Sequence, residues 1–263
     1  MGTSASSKGP GPNVPIVPPW VEDPTAPPAP PNAPPPAPPP LAQPRRFRPA
    51  RTALGRWSRE GSEENLRRGL GHYTRSGMGG AANATSRMAG SASSAGAIYE
   101  ALTALAANQP LPPQYGIQQG QISGLSQAEI IDALVDALCP VDGTQDAEAS
   151  RDSAARALCE IVDEGGDVTD LSQDQIDWVV QTFLGNEIAH RIALDVGMAV
   201  LDKAPSAKMG QQRLEEMQAY VREELARRYG ERRALHGSLD RQSAAQLGRD
   251  VIHDTFDIFE SYL

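Results

Sequence analysis

Proline is the residue whose placement most constrains how this chain can fold. Eighteen of its 23 prolines lie between Pro10 and Pro49. Because proline fixes φ and lacks a backbone N–H, neither a helix interior nor a sheet ladder can form through such a stretch. The sequence therefore predicts an extended, disordered arm over residues 1–44, followed by a folded body. In a polyproline II conformation, residues 10–44 would extend about 100 Å.

The tip of this arm contains apolar residues that a spacer does not need. Val14, Ile16, Val17 and Trp20 lie in a segment that cannot fold alone. We interpret them as a short peptide ligand that docks in a partner's groove. The alternative is that Trp20 is an incidental aromatic residue in a disordered tail.

Charge is distributed unevenly in the body. Residues 45–75 carry nine arginines and a net charge of +6, whereas residues 97–203 carry a net charge of −14. Such asymmetry indicates intramolecular pairing, a partner surface or simply a solvated face. The residues of a possible partner or nucleic-acid surface are Arg45, Arg46, Arg48, Arg67, Arg68, His72, Tyr73 and Arg75. For His72 and Tyr73 the alternative is packing within an Arg-rimmed helix.

The body lacks alternating or β-branched runs, and its apolar residues recur at helical spacing. This pattern predicts an all-α fold: an irregular helical bundle behind the arm. Capping boxes are expected at Ser126, Ser172 and Ser243. One helix is expected to end near Leu184, another to run over residues 186–201, and a third to end at Gly230. The predicted domains are the arm (1–44), an Arg- and Gly-rich helical module (45–110) and an acidic helical bundle (111–263).

No motif for catalysis emerges. Residues 77–82, GMGGAA, match the letters of a dinucleotide fingerprint, but that fingerprint requires a preceding strand. The four histidines have no metal-ligand spacing, and Cys139 and Cys159 are expected to be buried, reduced thiols. We therefore predict no catalytic residue, no metal and no cofactor. The absence of an apolar leader or spanning run predicts a cytoplasmic protein, although MGTSAS also matches an N-myristoylation pattern.

Several motifs resemble one protein family. They are RRF at residues 45–47, LRRGLGHY at 66–73, GMGG at 77–80 and AGAIY at 95–99, with MGTS and VPPW near the start. Together they resemble the QatB family, a subunit without assigned catalysis in the bacterial Qat anti-phage defence system. The resemblance covers roughly the first hundred residues. It implies three partners: a QueC-like (QatC-type) nucleobase-processing enzyme, an ATPase and a TatD-like nuclease.

The resemblance also suggests a role for Gly2. Small residues follow Met1, so removal of Met1 would expose a glycine amine with a pKa near 8. QueC-like enzymes activate a 7-deazaguanine carboxylate with ATP, and this amine could take the place of ammonia. Thr3, Ser4, Ser6 and Ser7 would then form hydrogen bonds along the entry channel. The alternatives are an ordinary flexible terminus and a nucleic-acid-binding adaptor that uses residues 45–75.

Overall fold

A computed structural model describes residues 13–17, 41–117, 119–122, 124–139 and 145–263. In this part of the chain there is no strand, only an isolated antiparallel bridge between Pro15 and Leu41, so the all-α prediction is confirmed. A π-helical turn at Tyr73–Gly77 follows α2, and a 3-10 turn occupies Pro113–Tyr115. The helices are α1 (Arg48–Glu60), α2 (Glu63–His72), α3 (Ala81–Arg87), α4 (Ala89–Ala106), α5 (Gln119–Ile122), α6 (Gln127–Leu138), α7 (Gln145–Asp163), α8 (Gln173–Lys203), α9 (Ala207–Arg233) and α10 (Arg241–Glu260).

Local sequence signals set two of the helix starts as predicted. Ser126 and Glu129 form a reciprocal capping box at α6. At α8 the Gln175 backbone N–H donates to Ser172 Oγ (3.3 Å), and the Ser172 N–H donates to Gln175 Oε1 (2.8 Å). The third predicted start was wrong, because Asp240 accepts from the Ser243 backbone N–H at 2.8 Å and α10 begins three residues early.

Two predicted helix ends were also wrong. The helix expected to stop near Leu184 continues through Gly185 and Asn186 to Lys203. Similarly, α9 passes through Gly230 to Arg233. Glycine costs only about 1 kcal/mol in a helix interior, which packing of the rest of the helix can outweigh.

The first of two compact units comprises Met1–Gly90, Ile188–Glu224 and Arg249–Leu263. In it α1 packs against α2. Burial of an aliphatic or aromatic side chain contributes about 1.5–3 kcal/mol, so its interior is a large stabilising term. Its fully buried large side chains include Leu54, Leu70, Tyr73, Met78, Phe256 and Phe259.

The second unit comprises Ser91–Glu187 and Leu225–Gly248. Its buried residues include Ile98, Leu134 and Phe183, and α6 packs against α7. A Cβ added at Gly96 would lie 2.5 Å from Arg241 O, so glycine allows α4 to approach the start of α10 closely.

The units do not follow the three consecutive segments predicted from the sequence. Each is assembled from separated stretches, and α4, α8, α9 and α10 each contribute residues to both. None of the helices among the described residues combines the length and apolar character that crossing a membrane requires.

Candidate functional site

The basic residues between Arg45 and Arg75 do not share one surface. All belong to the first unit, where α1 and α2 carry most of them on different faces. Three environments hold the predicted residues: a groove (Arg45, Arg48), the interior (Arg46, Tyr73) and a pocket (Arg67, Arg68, His72, Arg75).

The groove has a volume of about 520 Å³ and a strongly cationic lining. Thr52, Gly55 and Ala199 complete this lining, which contains no carboxylate among the described residues. We call it the basic groove and define it by its cations: Arg45, Arg48, Arg51, Arg56, Arg59 and Lys203.

The amphipathic pattern of α1 creates this groove. Leu54 and Trp57 face the interior, and residues 48, 52, 56 and 59 follow the opposite face at helical spacing. Ser58 Oγ donates to Val200 O at 2.6 Å, which holds α1 against the last turns of α8. A Cβ added at Gly55 would lie only 3.0 Å from Lys203 Cγ, so the Lys203 stem lies directly against the helix.

Arg51 is the anchored member of the basic groove. Its Nε and Nη2 donate to the backbone carbonyl of Asp195 at 3.2 and 2.7 Å. This pair of bonds fixes the guanidinium at the floor, while Arg45, Arg48, Arg56 and Arg59 are exposed.

The second pocket, of about 770 Å³, is lined by acids as well as cations: two glutamates accompany its three arginines. Arg67 pairs with Glu63 at 2.6 Å, and its Nε donates to Tyr220 Oη at 3.3 Å. Arg75 pairs with Glu260 at 3.4 Å. Two of its three arginines therefore pair with carboxylates of the protein. In the basic groove, by contrast, Arg51 bonds a backbone carbonyl, and no ion pair among the described residues joins the exposed cations to an acid.

His72 lies in this second pocket and is partly buried. Burial, together with the nearby guanidinium groups of Arg68 and Arg75, lowers the pKa of His72 below its usual value. The imidazole is therefore neutral at neutral pH.

Tyr73 lies in the interior, as the alternative of a packed helix anticipated. Its hydroxyl donates to Asp195 Oδ2 at 2.9 Å, and its ring stacks on Phe47 with centroids 5.5 Å apart. Burial raises the pKa of Asp195, although the charge of Arg191 and the hydrogen bond from Tyr73 act in the opposite direction.

Arg46 is only 6% exposed and covers the other side of this cluster. Its guanidinium carbon lies 4.7 Å from the centroid of the Phe47 ring. Burial and the charge of Arg87 lower the pKa of Arg46, whereas Asp195 raises it. Tyr73, just after α2, thus packs on Phe47, just before α1, and hydrogen-bonds the buried carboxylate of Asp195.

Part of the arm lies against the first unit. The Asn13 N–H donates to Ala42 O (3.0 Å), and the Ala42 N–H donates to Val14 O (2.8 Å). Ile16 is only 5% exposed, and its carbonyl accepts from Arg87 Nη1 at 3.3 Å, whereas Val14 is 38% exposed. We call residues 13–17 the anchor segment; Gly2, Thr3, Ser4 and Trp20 lie outside the described residues.

The GMGG stretch has a structural role. Gly79 and Gly80 adopt φ of +77° and +101°, which turns the chain into α3. The Ala81 backbone N–H donates to Glu260 Oε2 at 3.0 Å, so a carboxylate of the same chain occupies the start of this helix. Together with the π-helical turn that precedes it, this contact argues against a dinucleotide fingerprint.

Sequence reasoning missed three residues of these sites: Arg87, Asp195 and Glu260. Asp195 carried a signal, since it interrupts the apolar stripe of α8 between Ile192 and Val196. No comparable signal marked Arg87 or Glu260, whose partners are far away in sequence.

The two cysteines differ from each other. Cys139 is buried, and burial raises the pKa of its thiol to about 11. Cys159 is exposed, so the prediction of two buried thiols was wrong for that residue. The described residues contain no group of three or more His, Cys, Asp or Glu side chains placed to hold a metal ion.

The fold and these sites define an all-helical protein with a cationic groove and a docked N-terminal segment, without a recognisable catalytic centre in the described residues. The sequence model of the QatB family, described as Qat anti-phage system associated protein QatB, matches residues 79–259. The chain therefore belongs to the QatB family, as its motifs suggested, and is a component of the Qat anti-phage system. Most of the match lies downstream of the motifs on which the resemblance rested. Neither the curated proteins nor the solved structures contained a match.

Proposed function

We propose that this protein is a non-catalytic subunit of the Qat system that presents its N-terminal arm to a QueC-like partner enzyme. In this proposal Gly2 is the acceptor for a 7-deazaguanine acyl group, and Thr3, Ser4 and Trp20 contact the partner. The ATPase and the TatD-like nuclease of the same system are further proposed partners.

The observation that carries this proposal is the anchor segment. Ile16 is buried, and its carbonyl accepts a hydrogen bond from Arg87, so the anchor segment is a defined point of the folded body. A fixed starting point reduces the conformational freedom that a docking peptide must lose when it binds. Val14, whose side chain is exposed beside it, is available to a partner at the same point.

The proposed acylation requires only that the arm present a neutral amine at Gly2. Once Met1 is removed, the Gly2 nitrogen would attack the acyl carbon of the activated carboxylate. A C–N bond forms, the activating group leaves with its bonding electron pair, and the nitrogen loses one proton to solvent. An α-amine with a pKa near 8 supplies a useful neutral fraction at neutral pH.

The test is the intact mass of the full chain expressed with and without its QueC-like partner. We expect a gain of one deazaguanine acyl group, mapped by tandem mass spectrometry to the Gly2 α-amine. Gly2→Leu should abolish the gain, because a bulky second residue retains Met1 and hinders the amine. Thr3→Ala is the matched control, since it leaves the Gly2 amine intact and should still be modified.

Two results would contradict parts of the proposal. An unmodified Gly2 in a complex that forms normally would exclude the acceptor role but leave the presenting role. Failure of the two proteins to co-purify would exclude both.

A further inference from the structure

We infer that the basic groove binds the phosphodiester backbone of nucleic acid. This inference goes beyond the proposed function, because it concerns α1 and α8 rather than the arm. It assigns the nucleic-acid role that the sequence suggests for residues 45–75 to the basic groove alone, which is lined mainly by one face of α1.

The first argument is that no carboxylate among the described residues of the lining compensates the positive charge of the basic groove. The groove has six cations and no carboxylate in its lining among the described residues. The acids nearest in sequence, Glu60 and Asp202, do not line it. Within the described part of the chain, no ion pair joins Arg45, Arg48, Arg56, Arg59 or Lys203 to an acid. Cations concentrated in this way produce a local positive potential that attracts polyanions.

The second argument is geometry. Residues 48, 52, 56 and 59 follow one face of a helix with a rise of about 1.5 Å per residue, so they form a row about 16 Å long. Successive phosphates of a single strand can contact such a row. The Thr52 hydroxyl donates to the Arg48 backbone carbonyl at 2.9 Å, so the arginines are the donors of this row. Arg51, fixed by Asp195 O, holds its guanidinium in place without the entropy cost of ordering a free side chain.

The second pocket serves as an internal comparison. Its lining contains three arginines and two glutamates. Arg67 pairs with Glu63, and Arg75 pairs with Glu260. If net charge alone decided binding, both surfaces would contribute. The uncompensated groove should instead dominate, because a phosphate gains most from cations that lack a protein partner.

The experiment measures fluorescence anisotropy of a labelled single-stranded oligonucleotide, and of the matching duplex, over a range of salt concentrations with the full chain. The test variant is Arg48→Gln/Arg56→Gln/Arg59→Gln. The control removes equal charge from the second pocket by Arg67→Gln/Arg68→Gln/Arg75→Gln. Circular dichroism establishes that both variants remain helical.

We expect wild-type affinity to fall steeply with salt. Loss of three phosphate contacts should reduce the slope of log K against log salt by about 2 for the single strand and about 3 for the duplex. The control should retain the wild-type slope. Preferential binding of either the single strand or the duplex supports the inference, and it identifies which form of nucleic acid the groove binds.

Three outcomes would overturn it. One is no salt-sensitive binding by the wild-type protein, and another is an equal loss in the two triple variants. The third is displacement of the oligonucleotide by poly-L-glutamate as effectively as by unlabelled oligonucleotide, which would indicate an acidic protein partner instead. None of these results bears on modification of Gly2.

Discussion

The hydrogen bond from Tyr73 partly offsets the free-energy cost of burying the Asp195 carboxylate. Asp195 is only 8% exposed, and an ionised carboxylate loses much of its hydration at such a position. The Tyr73 hydroxyl, 2.9 Å away, and the surrounding arginines restore part of that stabilisation. Stability of the first unit therefore depends on the Tyr73 hydroxyl as well as on the burial of its ring.

Replacement of Tyr73 by Phe should lower the free energy of unfolding by about 1–3 kcal/mol, because it leaves a buried acceptor without its donor. Urea denaturation followed by circular dichroism would measure the change. Tyr220→Phe is the control: Tyr220 is only partly buried, and loss of its contacts with Arg67 and Tyr262 should cost less than about 1 kcal/mol.

The effect of Tyr73→Phe should depend on pH. The Tyr73 hydrogen bond lowers the pKa of Asp195, so its loss raises that pKa further above the value in the unfolded chain. The folded variant then holds a proton more tightly than the unfolded chain does, and its stability falls as pH rises through this range. The difference from wild type should accordingly be smaller at acid pH than at neutral pH. A pH-independent difference would exclude this electrostatic role.

At the scale of helices, the sequence predicted most elements but misjudged their ends. The capping boxes at Ser126 and Ser172 are local, so sequence alone could identify them. Glycine misled the prediction at positions 185 and 230, because continuation of those helices depends on packing along their length. The approach of Gly96 to Arg241 was not predictable either, because the two residues are far apart in sequence.

Two glycines of the second unit should respond oppositely to alanine. Gly96→Ala places a Cβ 2.5 Å from Arg241 O and 2.8 Å from Ala245 Cβ, which should destabilise the protein by about 1–3 kcal/mol. At Gly230 an added Cβ meets nothing within 4 Å in the described chain, so Gly230→Ala should stabilise α9 by up to about 1 kcal/mol. Thermal unfolding would compare them, and the same sign for both would contradict the packing assigned to Gly96.

At the scale of the whole molecule, the interleaving of the two units was not predictable from the sequence. Local signals identify helices but not which helices return to the same core. The basic segment illustrates this limit: its charge was evident, but its division among a groove, an interior and a pocket depends on contacts with α8, α9 and α10. Asp195 accepts hydrogen bonds from both Arg51 and Tyr73, yet it lies more than a hundred residues from either in the sequence.

The anchor segment gives a prediction about the molecule as a whole. Ile16→Asp should detach residues 13–17, since burial of an isoleucine contributes about 1.5–3 kcal/mol and a buried carboxylate is unfavourable. Hydrogen exchange followed by mass spectrometry should then show faster exchange at the amides of Asn13 and Ala42. Val14→Asp, at a 38% exposed position, should leave exchange nearly unchanged. Equal exchange in both variants would show that Ile16 does not hold the segment.

The pairing of Asn13 and Val14 with Ala42 also limits how far the Gly2 amine can lie from the folded body. Eleven residue-to-residue steps separate Gly2 from Asn13. Each spans at most about 3.6 Å, so Gly2 remains within about 40 Å of that pairing. A short tether gives the group at its end an effective concentration in the millimolar range, which declines as the tether lengthens. An enzyme bound within this radius would therefore meet Gly2 far more often than if the tether began at residue 44.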